Sequence, residues 1–102
     1  MPDHERSLPI LAVQAPFATS EDPLREFAAD VRARLALFPR SRLVVYPELH
    51  LTAPGGEPHM RRLAEPVPGP RSDALCALAA ELGVWLVPGT MYERGDGDRI
   101  HN

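Results

Sequence analysis

Apolar residues along this chain alternate between two rhythms, and together they outline a strand, a helix and a second strand. Leu8 to Ala15 is a short, largely apolar run ending at Pro16, the pattern of a first buried strand. Thr19 to Asp22 then offers a helix start, with Asp22 as N-cap and Pro23 at the first helical position. Leu24, Phe27, Ala28, Val31, Leu35 and Phe38 follow at helical spacing, Arg25, Arg32 and Arg34 fall off that face, and Pro39 ends the helix. Leu43 to Tyr46 is a continuous apolar run with two valines and reads as a buried second strand. The crossover is long enough to make the strands parallel, so a right-handed βαβ unit is expected.

The stretch from Leu51 to Pro70 breaks both rhythms. Pro54-Gly55-Gly56 and Glu65-Pro66-Val67-Pro68-Gly69-Pro70 are incompatible with a long regular element, although Pro58 to Leu63 can form a short helical turn. Helical spacing resumes with Leu75, Leu78, Ala79 and Leu82, for which Ser72 is the expected N-cap and Gly83 the C-terminal cap. Val84 to Val87 opens a third strand that is expected to continue through Gly89 toward Glu93. Gly95-Asp96-Gly97-Asp98 signals a hairpin turn, and Arg99 to Asn102 begins the returning strand. The expected organisation is an amino-terminal tail over residues 1–7 and one α/β unit over residues 8–102, cut within its hairpin.

Composition narrows the function classes. A chain of 102 residues with net charge −3 and no basic patch is a poor nucleic-acid binder. Its twelve prolines, about twice average usage, punctuate loops and element ends rather than form a low-complexity tract. All eleven basic residues are arginine, and lysine is absent. One cysteine, Cys76, rules out an internal disulfide framework and a cysteine-rich zinc site, and fits a reducing compartment. No apolar run approaches a membrane span or a signal-peptide core. A cytoplasmic protein with no membrane partner is the expectation.

The segment Leu43-Val44-Val45-Tyr46-Pro47-Glu48-Leu49 carries the most chemistry. Pro47 has no amide hydrogen for a neighbouring strand, so pairing should stop there. Glu48 then falls just past the strand's carboxyl end, where open α/β sheets place their ligands, and is a candidate general base. Taken alone, the segment fits a solvated carboxylate in a strand-to-loop turn better than a base. The other candidates are weaker. Cys76 stands among alanines and leucines with nothing nearby to lower its pKa, so it reads as a small packed residue. His4, His50, His59 and His101 lack metal-ligand spacing; His50 reads as a surface loop histidine rather than one that lies beside the Glu48 site and shapes a pocket. Asp96 and Asp98 suit a turn, not a calcium loop. The glycine-rich loop of a nucleotide-binding βαβ unit is missing after the first strand, where Gln14-Ala15-Pro16-Phe17 stands, and no serine lies in a nucleophile elbow.

The ordered pattern resembles the amino-terminal part of the nitrilase, or carbon-nitrogen hydrolase, superfamily. Val13-Gln14-Ala15 is similar to the end of the family's opening strand, and Val44 to Leu49 to the segment around its catalytic glutamate. Glu65 to Pro70 resembles the proline-glycine stretch before its next helix. Val87-Pro88-Gly89-Thr90-Met91-Tyr92-Glu93-Arg94, followed by a turn and Ile100-His101-Asn102, resembles the hairpin beyond that helix. Each motif is modest alone; their order and spacing, from Leu8 to Asn102, are the strength of the match.

The resemblance implies a partial α-β-β-α sandwich and a Glu-Lys-Cys mechanism in which Glu48 is the general base. In that chemistry the carboxylate takes a thiol proton, the thiolate attacks an amide or nitrile carbon, and a thioester formed from an amide is then hydrolysed. It implies a small-molecule amide or nitrile substrate, no metal or organic cofactor, and a homodimer for the full-length parent; substrate-binding residues are unknown. Two departures matter. The family's lysine and cysteine come after the hairpin, this chain has no lysine, and Cys76 lies too early for the nucleophile's role. Thr52-Ala53-Pro54 also stands where many members carry a glycine and an aromatic residue. The expected function is therefore a hydrolase of non-peptide carbon-nitrogen bonds, the isolated chain being an inactive amino-terminal fragment. The alternative from another class is a non-catalytic α/β module that binds partners through an open sheet edge.

Overall fold

The structure, a computed structural model, describes residues 6–102. Most of the expected tail, including His4, lies outside the described residues. The elements are β1 (Ile10–Ala12), α1 (Pro23–Leu37), β2 (Leu43–Val45), α2 (Glu57–Leu63), α3 (Pro70–Leu82), β3 (Trp85–Val87), β4 (Glu93–Arg94) and β5 (Ile100–His101). β1, β2 and β3 form a parallel sheet in that order, with Ile10, Leu43 and Trp85 in one register row and Leu11, Val44 and Leu86 in the next. β4 and β5 form a separate antiparallel hairpin. Both crossover helices pack on one face of the sheet, as two crossovers of the same hand require when strands advance in one direction.

Side-chain alternation decides what each face of the sheet meets. Leu11, Val44 and Leu86 point toward the helices and join Phe27 and Val31 of α1 and Leu75 and Leu78 of α3 in one core. Phe27, Val31 and Val44 are the largest fully buried side chains, each contributing about 1.5–3 kcal/mol of hydrophobic stabilisation. The opposite face is also apolar but uncovered among the described residues: Ile10 is 56% exposed and Trp85 74%. The chain is thus a helix layer on one face of a parallel sheet, the outer half of the expected α-β-β-α sandwich. No helix among the described residues is long and apolar enough to cross a membrane.

Local signals set most element ends. The Asp22 carboxylate accepts the Arg25 amide at 3.2 Å, and Pro23 occupies the first helical turn. Gly83 closes α3 at φ 66°, and the Tyr46 amide makes the last bond of β2, to Val87 O at 2.8 Å, before Pro47 stops the pairing. Four expectations need correction. β1 is not a buried strand but an edge strand with one face open, so alternate residues are exposed. The third strand does not run toward Glu93: Pro88 offers no amide and Gly89, at φ 98°, turns the chain. Ser72 is not the N-cap of α3. Pro70 opens the helix after Gly69, and Ser72 Oγ reaches back to accept the Gly69 amide at 2.8 Å. Cys76 is exposed rather than packed, because Leu75 and Leu78 define the inward face of α3 and position 76 turns away from it.

Candidate active site

Glu48 stands in the turn that follows the central strand, at the carboxyl end of the sheet. Its side chain is exposed, and Oε1 accepts a hydrogen bond from Asn102 Nδ2 at 3.2 Å. A carboxylate held this way keeps lone pairs with which to accept a proton, the geometric minimum for a general base.

The turn itself is not a loose loop. Leu49 and Ala53 both adopt positive φ, 53° and 59°, which L side chains disfavour, so surrounding contacts must hold them there. The Leu49 amide donates to Thr90 Oγ1 at 3.1 Å, and its carbonyl accepts the Thr52 and Ala53 amides at 3.2 and 2.8 Å. The His50 amide donates back to Pro47 O at 3.2 Å, closing the turn around Glu48, while His50 O accepts the Ala18 amide at 2.8 Å. At the far end His59 Nε2 donates to the Thr52 and Ala53 carbonyls at 2.8 and 2.9 Å. Its Nδ1 accepts from Arg62 at 3.3 Å, which identifies Nε2 as the protonated nitrogen. The chain after β3 presses from one side: a Cβ on Gly89 would stand 2.1 Å from Pro47 O, so only glycine permits this approach. A second small core of Leu49, Ala64 and Tyr92 ties the turn to α2 and the hairpin.

Behind the turn lies a polar network on the helix side of the sheet. Tyr46 Oη donates to Asp30 Oδ2 at 2.5 Å, and Arg34 Nε donates to the same oxygen at 2.7 Å. Burial raises the Asp30 pKa, but these two bonds together with the nearby charges of Arg34 and His50 outweigh it and hold the carboxyl below its ordinary value. Burial and the adjacent Asp30 push the Tyr46 hydroxyl well above the ordinary tyrosine range. His50 is only 6% exposed, its ring centroid 4.9 Å from Tyr46 and 6.0 Å from Phe27. The expectation of a surface loop histidine is therefore overturned: Ala18 anchors the His50 backbone, and the ring fills the space against Tyr46 and Phe27. Burial lowers its pKa, partly offset by Asp30 and Glu26.

Sequence reasoning missed this network. The uncharged run Leu49-His50-Leu51-Thr52 was an available sign that the turn is inward-facing, and all four residues are buried. Cys76 lines a cavity of about 610 Å³ together with Trp85, Met91 and Asn102, and Glu48 is not among its lining residues. His101 lies in the hairpin and His59 clamps the turn; neither joins His50. Among the described residues no group of three or more His, Cys, Asp or Glu side chains is placed to hold a metal ion. A family model described as carbon-nitrogen hydrolase matches residues 12–102. No curated protein matches the chain.

Proposed function

The chain belongs to the carbon-nitrogen hydrolase family, and from that premise we propose that Glu48 is the general base of a hydrolase acting on non-peptide carbon-nitrogen bonds. The observation that supports this most is the clamped turn after the central strand, which presents an exposed carboxylate at the mouth of the sheet. The substrate is a small amide, with nitriles as the neighbouring class, in a cytoplasmic setting that the single cysteine favours.

In the proposed reaction the Glu48 carboxylate takes the proton of a cysteine thiol, and the sulfur forms a bond to the amide carbon. The developing oxyanion is stabilised by a lysine, the C–N bond breaks as the proton passes to the leaving amine, and a thioester remains. Glu48 then removes a proton from water, which displaces the thiol and releases the acid. This chain carries no lysine, and Cys76 sits on α3, ahead of the hairpin rather than after it. The 102 residues therefore supply the base, while the lysine and the nucleophilic cysteine of the proposed reaction are not identified among them, and the proposed hydrolase acts as a homodimer.

Reading the coding sequence across the Asn102 codon and assaying both products tests the proposal. An in-frame continuation bearing a lysine and then a cysteine, whose product releases ammonia from amides and loses at least about 10²-fold in kcat with Glu48→Gln, supports it. Full activity in that variant overturns the base role. Robust amide hydrolysis by the 102-residue chain, abolished by Glu48→Gln, overturns the incomplete-machinery half.

A second reading, an interaction module, draws on the uncovered face and the two edge strands β1 and β3. A stop codon after Asn102 together with a cooperatively folding, monomeric native product favours it.

A further inference from the structure

Glu48 is held by its turn, and the turn is held from behind by a buried histidine that the hydrolytic chemistry does not use. His50 has an unpartnered Nδ1 with no access to solvent, its ring lies against Tyr46 and Phe27, and its backbone closes the turn by bonding to Pro47 and Ala18. Beside it is a cleft of about 400 Å³ between α1 and the 15–18 segment, roomy enough for the ring to swing outward.

We propose that His50 is a positioning residue for Glu48: its neutral ring seats the turn, and protonation unseats it. The proposal rests on the reading of Glu48 as the base and adds a regulation of that site by acid. The groups facing His50 decide the direction. From α1 come Glu26, Asp30 and Arg34, from the end of β2 comes Tyr46, and the 15–18 segment contributes only uncharged Ala15, Pro16 and Ala18. Asp30 Oδ2 already serves Tyr46 and Arg34, so it is an incomplete counter-ion for a second cation. A protonated ring would carry an Nδ1–H with no acceptor into an apolar contact, a state that favours leaving the site. Because the His50 amide and carbonyl are both engaged, ring departure pulls on the Pro47–His50 bond that spans Glu48. The lowered pKa of His50 agrees with a neutral seated form.

The test is NMR on the 102-residue chain between pH 4.5 and 8, following the His50 ring, the Glu48 carboxyl carbon and the protection factor of the Leu49 amide. Leu49 protection is expected to fall about tenfold on acidification, with the midpoint of the His50 titration. The Glu48 carboxyl carbon resonance should move with that same midpoint. His50→Phe should hold both readouts flat through that midpoint, and Asp30→Asn should move the His50 midpoint further down. A Leu49 profile without an inflection at the His50 midpoint, or one that persists in His50→Phe, overturns the proposal. Should His50→Phe not fold, His50→Gln takes its place and the wild-type profile decides by the same criterion. None of these readouts depends on turnover, so a failure here is distinct from a failure of Glu48 as base.

Discussion

Gly89→Ala is expected to cost more than alanine at any other glycine of this chain, because it combines a positive φ with a close backbone approach to the seat of Glu48. The new Cβ would lie 2.1 Å from Pro47 O and 3.3 Å from the His50 nitrogen. An ordinary carbon–oxygen contact needs about 3.3 Å, so the two backbones must part by about 1 Å. Overpacking of this kind costs about 1–3 kcal/mol, and the positive φ of 98° adds about 1–2 kcal/mol for a residue with a Cβ. The sum is about 2–5 kcal/mol. Gly83→Ala separates the two contributions: φ is 66° there, but nothing lies within 4 Å of the new Cβ, so only the conformational cost of about 1–2 kcal/mol applies. Equilibrium urea unfolding followed by far-ultraviolet circular dichroism reads the difference. With a slope of about 1 kcal/mol/M for a small chain, the Gly89→Ala midpoint should fall at least about 1 M below that of Gly83→Ala. Equal midpoints would refute the claim that backbone contact at Pro47 holds the turn.

The remaining predictions follow from the same residues. Since the folded pKa of His50 lies below its unfolded value, its contribution to stability is complete above about pH 6.5 and is lost as pH falls toward the folded pKa. Urea midpoints across pH 5–8 should show this slope in the wild type and lack it in His50→Phe. The folded pKa of Tyr46 is raised, so its contribution is complete below about pH 10 and declines above it, and Tyr46→Phe should remove that alkaline loss. At neutral pH the same variant should destabilise by about 1–2 kcal/mol through the lost bond to Asp30, measured by urea titration. Glu48→Gln, at an exposed position, should leave stability within about 0.5 kcal/mol by the same method, so that lost turnover in a longer product reports chemistry rather than unfolding. Trp85→Ser on the open face should leave the urea midpoint similarly unmoved while lowering self-association in light scattering.

The order of elements was legible in the sequence because each boundary is written within a few neighbouring residues. Asp22-Pro23 starts α1 through bonds at most four residues away, Gly83 ends α3 by its own φ, and Pro47 halts β2 by lacking a hydrogen. The position of Glu48 just past the central strand follows from the same local facts, and the parallel crossover follows from its length. By contrast, the clamp on Glu48 depends on residues that only folding brings together. Thr90 meets Leu49 across 41 positions, Gly89 passes under Pro47, and Ala18 fixes the backbone of His50.

Burial of His50 showed in the sequence only as the uncharged run from Leu49 to Thr52, since a histidine between two leucines reads as a surface loop residue until α1 is laid over it. The open apolar face shows the complementary limit. The sequence alone determined that the strands are apolar on both sides, which is a property of composition along each run. Only the tertiary structure decided which side α1 and α3 cover, because the direction of both crossovers sends the helices to one face and leaves Ile10 and Trp85 on the other.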